Sequence, residues 1–238
     1  MLNRSADEYA TLMASLPSSS GLFKAKVPPL SRIKLDRRLA MLTPLHRYLL
    51  QQVEQILDWR LMDANIDHHE LIQRRKKLFE QIQQPTLQRL IQERLEIRTF
   101  IFALRLREKG HQAPVNRDWA FGRWQQHIVR HWHEPAFQLQ RIFTWALQAE
   151  SLYQNKRPFE LEKLLLEVSY KQLQRHAGQH QFDFEAVVIY VMKWNIINRS
   201  TQYNSHVASK RFGRLLERHA PKADRLLNEY TTMETGHV

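Results

Sequence analysis

The sequence predicts an all-α protein, and three observations predict it. Glycine is scarce, six in 238 residues, while Leu, Gln, Arg and Glu, all good helix formers, are abundant. Apolar residues recur at helical spacings between Pro and Gly breaks. No stretch shows the two-residue alternation bounded by turn dipeptides that marks a β-hairpin.

Each element has its own signal. Tyr9 to Leu16 is short and mildly amphipathic, a helix or an extended lead-in. Ser15 to Pro29 (SLPSSSGLFKAKVPP) is dense in turn formers and reads as a loop. After a brief helical stretch around Leu35 to Met41, Thr43-Pro44 starts a helix. Threonine caps it, and proline takes the first position, where its missing N–H costs nothing. Leu45, Leu49, Val53, Ile56 and Leu57 then line one face to about Met62. A charged helix follows from near Asp67 to Gln83, with Leu71, Leu78 and Ile82 as its apolar side.

Pro85 separates that helix from the longest one, which ends at Lys109-Gly110 with a basic last turn and glycine at the left-handed cap. Its second half, LEIRTFIFALRLREKG, is apolar nearly all round, so it belongs inside a bundle. His111 to Arg117 connects to a helix capped by Asp118, with Trp119, Trp124, Ile128 and Trp132 as its face. Pro135 restarts the chain, and Phe137, Leu139, Ile142, Phe143, Ala146 and Leu147 carry a helix to about Tyr153. Pro158 opens another, with Glu160 and Glu162 in its first turns and Leu161, Leu164, Leu165, Val168 and Leu173 as its core stripe, closed by Gly178. Asp183 caps AVVIYVMKWNII, and a last helix from His206 to His219 ends before Pro221. The expected organisation is a single helical domain over 1–220, divisible into sub-bundles 1–110 and 117–220, with a flexible tail over 221–238.

Net charge is +12, which suggests an acidic partner: nucleic acid, an anionic membrane surface or an acidic protein face. Many of the cations are interleaved with Glu and Gln, so they read equally as solvated helix surface. The absence of cysteine excludes disulfides, thiolate metal sites and a cysteine nucleophile. No apolar run approaches the roughly 20 residues of a spanning helix, and MLNRSADEYATLMASLP is too polar for a secretory leader. The expected address is cytoplasmic.

Few residues invite chemistry. Arg98 and Arg105 lie two turns apart on one face of the apolar helix. They are expected to be structural, in buried ion pairs with Glu160, Glu162, Asp183 or Glu185, because an unpaired buried charge costs several kcal/mol. Arg74, Arg75, Lys76 and Lys77 form the compact basic cluster and are the candidate partner-binding surface, for phosphate or acidic lipid. Four consecutive residues wrap a full helical turn, however, and cannot all face one ligand.

His127 and His131, one turn apart and followed by His133, have a spacing that can chelate zinc. They lack the zincin glutamate and a third carboxylate nearby, so no metal is expected. The aromatics from Trp119 to Trp145 could stack on bases, but at helical spacing they read as core. There is no phosphate loop, Ser-His-Asp arrangement or carboxylate pair, so neither an enzyme, a small-molecule substrate nor a cofactor is expected.

Four stretches taken together resemble a known family. They are YATLMASLPSSSGLF; the LEIRTFIFALRLREKG helix, with Arg98, Leu104, Arg105 and Arg107 at matching places and Thr99 where asparagine is usual; FGRWQQHIVRHWHEPAFQL; and FELEKLLLEVSYKQLQRHAGQHQFDFEAVVIYVMKWNIINR, with Phe182-Asp183-Phe184, Tyr190, Lys193 and Arg199 in place. In this order they are similar to a bacterial domain family encoded in operons for V-type ATPases, itself similar to the C (or d) subunit of V- and A-type rotary ATPases.

The resemblance implies a multi-helix bundle like part of the C-subunit fold. It also implies a non-catalytic coupling role in the central stalk of a proton- or sodium-moving ATPase. The partners would be the central shaft and the membrane rotor ring, with membrane contact only through the complex. The chain is shorter than a typical C subunit, so the full three-bundle funnel is not implied. The alternative class is a basic all-helical nucleic-acid-binding protein, which needs a continuous positive face where the sequence shows a dispersed one.

Overall fold

A computed structural model describes residues 3–18, 22, 26–58, 68–115 and 119–202. It is all-α: α1 (Asn3–Ser15), α2 (Arg32–Leu39), α3 (Pro44–Ile56), α4 (His68–Gln81), α5 (Pro85–Glu108), α6 (Gln125–Arg130), a 3₁₀ turn (Pro135–Gln138), α7 (Ala146–Gln154) and α8 (Pro158–Ala177). A further helix, α9, covers residues 184–202, and no strand occurs among the described residues. None of the described helices is long and apolar enough to cross a membrane.

The helix starts follow local chemistry. The Ser31 hydroxyl accepts from Lys34 N–H at 3.4 Å and the Thr43 hydroxyl from His46 N–H at 3.2 Å, each satisfying a donor the helix leaves orphaned. Pro44, Pro85 and Pro158 begin α3, α5 and α8. Asp183 Oδ1 accepts from Ala186 N–H at 2.8 Å and caps α9. At the end of α5, Gly110 takes φ +79°, and the amides of Gly110 and His111 reach back to the Arg107 and Leu106 carbonyls, which is the Schellman closure. Gly178 closes α8 without it, in the right-handed region at φ −68°.

The side chains pack into two cores. The first gathers residues from α1 to the front half of α5 (Leu87, Leu90, Ile91, Leu95), the back half of α8 (Leu166, Tyr170, Leu173) and α9. The second holds the back half of α5 (Ile97, Phe100, Ile101, Leu104), the aromatic segment 119–146 and the front half of α8 (Leu161, Leu165). Phe121 alone reaches from that segment into the first core. Thus α5 and α8 run antiparallel and both pass unbroken through both cores. The cores are not the expected sequential halves 1–110 and 117–220: the first joins the two ends of the described chain around the second.

Helix α9 closes the first core over the N-terminal loop. Tyr190 donates its hydroxyl to the Pro17 carbonyl at 3.0 Å, Trp194 Nε1 donates to Leu30 O at 2.9 Å, and Ser200 Oγ donates to Leu22 O at 3.3 Å.

Other expectations need correcting. Helix α3 ends at Ile56, with Leu57 as its cap, short of Met62. Among the described side chains of the charged helix and its exit, Leu78 and Ile82 are buried as expected and Ile72 joins them, while the Leu71 side chain lies outside the described residues. The two helices expected across 119–153 shrink to α6 and α7. Gly122 at φ +88° and a left-handed turn at Ala136, Phe137 and Gln138 (φ +46°, +52° and +55°) break the regular path. The aromatics still reach one core, with Phe100 meeting Phe137, Phe143 and Trp145 edge-on at 5.5, 6.4 and 5.1 Å. Asp118, the helix expected at His206 to His219 and the tail 221–238 lie outside the described residues.

Candidate functional site on the polar face of the central helix

An irregular segment buried beside a helix needs partners for its backbone polar groups, and α5 supplies them. Thr99 Oγ1 donates to the Phe121 carbonyl at 2.7 Å and accepts from the Phe121 amide at 2.9 Å. Glu96, 3 % exposed, accepts from the Arg123 amide at 3.3 Å and pairs with the Arg123 side chain at 3.2 Å. A Cβ at Gly122 would stand 2.4 Å from Glu96 Cγ, so glycine is required there for space as well as for φ.

One side of α5 further along, Arg107 donates to the carbonyls of Trp132 and Glu134 at 3.1 and 3.0 Å and pairs with Glu150. Its guanidinium lies 4.5 Å from the Phe137 ring centre. Glu150 in turn accepts from the Ala136 amide at 2.8 Å. The Arg107–Glu150 pair therefore clamps the left-handed turn from both sides.

Three further arginines, Arg94, Arg98 and Arg105, occupy the α5 face toward α8. Arg94 donates to Ser169 Oγ on α8. Burial, and then the neighbouring Arg98 charge, lowers its pKa to about 9. Arg98 is 6 % exposed; burial and then the Arg105 charge lower it to about 10. Among the described residues Arg98 has no ion pair, and three of the four carboxylates expected to hold it or Arg105 are engaged elsewhere. Glu160 binds Arg157 at 2.8 Å, Glu162 binds Arg199 at 2.5 Å, and Asp183 binds His180 at 2.7 Å. Glu185 sits with His180 and Asp183. Burial without a carboxylate at Arg98 is the correction to the expected pairs. Arg107, partly buried, does have a carboxylate partner in Glu150, and its other partners are carbonyls.

Two cavities open along this face. The first, about 710 Å³, has a mixed lining in which Arg32, Arg94 and Arg199 stand together with Glu54, Asp58 and Asn195 among apolar side chains. Three of these groups answer one another: Arg32 pairs with Glu54 at 2.7 Å, and Asn195 also donates to Glu54 at 2.9 Å. The second, about 640 Å³, lies where α5 and α7 end and α8 begins. The Glu162–Arg199 pair stands between them, one partner lining each.

The basic cluster on α4 splits as a helical turn must. Arg74 pairs with Glu70 at 2.6 Å on the surface, and Lys76 and Lys77 are exposed. Arg75 turns inward, 3.2 Å from Gln92 and 4.5 Å from the Phe79 ring centre. His127 and His131 are ring neighbours at 4.4 Å, and no third ligand joins them among the described residues. His180, Asp183 and Glu185 do converge, but the His180 nitrogens are taken by Asp183 and Thr86 and Asp183 caps α9, so the group serves the helix start.

Sequence reasoning missed the Arg107–Glu150 clamp and Arg94, whose partners come from distant segments. It also missed Lys156, whose left-handed backbone (φ +52°) is signalled only by the short Asn-Lys-Arg-Pro link between α7 and α8. Set beside known proteins, this all-α, arginine-wired chain matches no family model, no curated protein and no solved structure.

Proposed function

We propose that this protein is a non-catalytic coupling subunit of a bacterial V-type rotary ATPase, seated between the central shaft and the membrane rotor ring. The observation that carries the reading is the passage of α5 and α8 through both cores. A part that transmits torque must not hinge. Here a hinge between the cores would have to break two antiparallel helices at once, along with the hydrogen bonds of Glu96, Thr99 and Arg94 at the junction. The resemblance of the four sequence stretches supports the same role. Two of them, the Ser-Leu-Pro loop and α9, meet through Tyr190 and Pro17.

Purification of the tagged protein from its native host, with partners identified by mass spectrometry, tests the proposal. ATPase shaft and ring subunits are the expected companions, and the isolated protein should not hydrolyse ATP. Recovery with ribosomes or DNA and without any ATPase subunit would replace this reading with the nucleic-acid-binding one.

A further inference from the structure

A histidine drawn partly out of water is ordinarily tied by its ring nitrogens. His46 bonds Tyr9, His176 bonds Glu93, and His180 bonds Asp183 and Thr86. His127 and His131 are also half-buried, yet neither ring makes a hydrogen bond or an ion pair among the described residues. They face each other instead, with ring centres 4.4 Å apart and planes tilted by 41°. His127 Nε2 is buried without a partner, which leaves Nδ1 as the nitrogen that ring can offer. Trp124 stands perpendicular to the same ring at 6.1 Å and packs in turn on Phe143. The imidazole is thus held in place by its neighbours and not by a hydrogen bond.

The separation of the pair is that of two ligands set at a right angle on one ion. With about 2 Å from metal to nitrogen, two such imidazoles have ring centres about 4.5 Å apart, whereas the tetrahedral angle of zinc spreads them past about 5 Å. Right-angled nitrogen pairs belong to the tetragonal coordination of Cu(II) and Ni(II). The described carboxylates and histidines that converge as a threesome do so elsewhere, at His180, Asp183 and Glu185. Water therefore completes the coordination at α6, which suits an exchangeable ion and not a structural one, whose site is closed by protein ligands.

We propose that His127 and His131 form a two-imidazole site for a tetragonal divalent metal, Cu(II) or Ni(II). The ion spans α6 from His127 to the cap residue His131 and fastens that short helix. The site is independent of the coupling role and stands or falls by its own measurement.

Calorimetric titration of the full chain with nickel chloride, and separately with zinc chloride, tests it. One nickel ion should bind, and zinc should bind more weakly. Loss of an outer-shell partner alone weakens a metal site roughly 10–100-fold, so removing a ligand, as in His127→Gln or His131→Gln, should weaken nickel binding by more than about tenfold. His133→Gln, at an exposed position two residues on, should leave it unchanged. Nickel should also raise the Tm of the wild type and not of the two α6 variants, because the helical spacing exists only in the folded chain. Melts without metal show that the variants are folded. Absence of nickel binding would overturn the proposal, as would wild-type affinity in both α6 variants. Zinc binding as tight as nickel would overturn it too, by removing the right-angled geometry. So would loss of nickel binding in His180→Gln with both α6 variants unaffected, which would place the ion at the start of α9.

Discussion

Gly122 and Gly110 share a left-handed backbone but not their surroundings. A methyl group at Gly110 meets nothing within 4 Å, whereas at Gly122 it strikes Glu96. Gly110→Ala should therefore cost only the backbone term, about 1 kcal/mol. Gly122→Ala adds a clash with a buried carboxylate and should cost about 3 kcal/mol. Urea titration of the two variants compares them directly, and equal losses would contradict the close approach.

The arginines of α5 separate in the same way. Glu150→Ala strands Arg107 and the Ala136 amide and should cost about 3 kcal/mol. Arg98→Met, replacing a buried cation that has no carboxylate, should leave the denaturation midpoint unchanged or raise it. A large loss for Arg98→Met would show a counter-charge that the described residues do not contain.

His46 gives the pH dependence. It stacks on Phe184 at 4.2 Å and bonds Tyr9. Burial lowers its pKa below 6.5, while Tyr9, pushed up to about 12 by burial and then by Glu185, remains the donor. The unfolded chain thus takes up this proton first. Stability is complete above pH 6.5 and falls as pH drops from there toward the lowered folded value. His46→Phe keeps the stacking without the titration, so its Tm should fall less between pH 6.5 and about pH 5.

At the scale of the element, the left-handed turn at 136–138 is the feature a propensity reading could not supply. Pro135 and the apolar residues after it suit a helix. The backbone takes another path because Arg107 and Glu150 satisfy its polar groups and because Phe137 is fully buried there. Those contacts join residues far apart in sequence, so no local window contains them. Gln138, the exposed member of the turn, contributes strain without packing. Gln138→Gly should therefore stabilise the protein by about 0.5–1 kcal/mol, net of glycine's extra freedom in the unfolded chain. A thermal melt reads this directly, and a fall in Tm would mean that the turn is not held left-handed.

By contrast α5 and α8 were legible, because Pro85, Pro158 and Gly110 punctuate them locally and their apolar content exceeds one stripe. The burial of Arg98 was legible for the same reason. Its surroundings were not, since the carboxylates reserved for it find Arg157, Arg199 and His180 instead. The second cavity was invisible from sequence because its lining comes from the ends of α5 and α7 and the start of α8, segments far apart in the chain.

At the scale of the whole molecule, two cores that share two uninterrupted helices should unfold together. Tryptophan fluorescence is weighted toward the second core by Trp119, Trp132 and Trp145, while far-UV circular dichroism averages over both. The two probes should give one urea midpoint. Separated midpoints would divide the body into independent units and weaken the argument for a rigid coupler.

The nesting of one core inside the other also fixes an order of events on the ribosome. Everything the second core needs has emerged once residue 165 is out, whereas the first waits for α9. Throughout that interval Leu87, Leu90, Ile91 and Leu95 lack the α9 side chains that complete their core. The nascent protein thus carries an unsheltered greasy flank beside an already finished half, and it is then that a holding chaperone has most to protect.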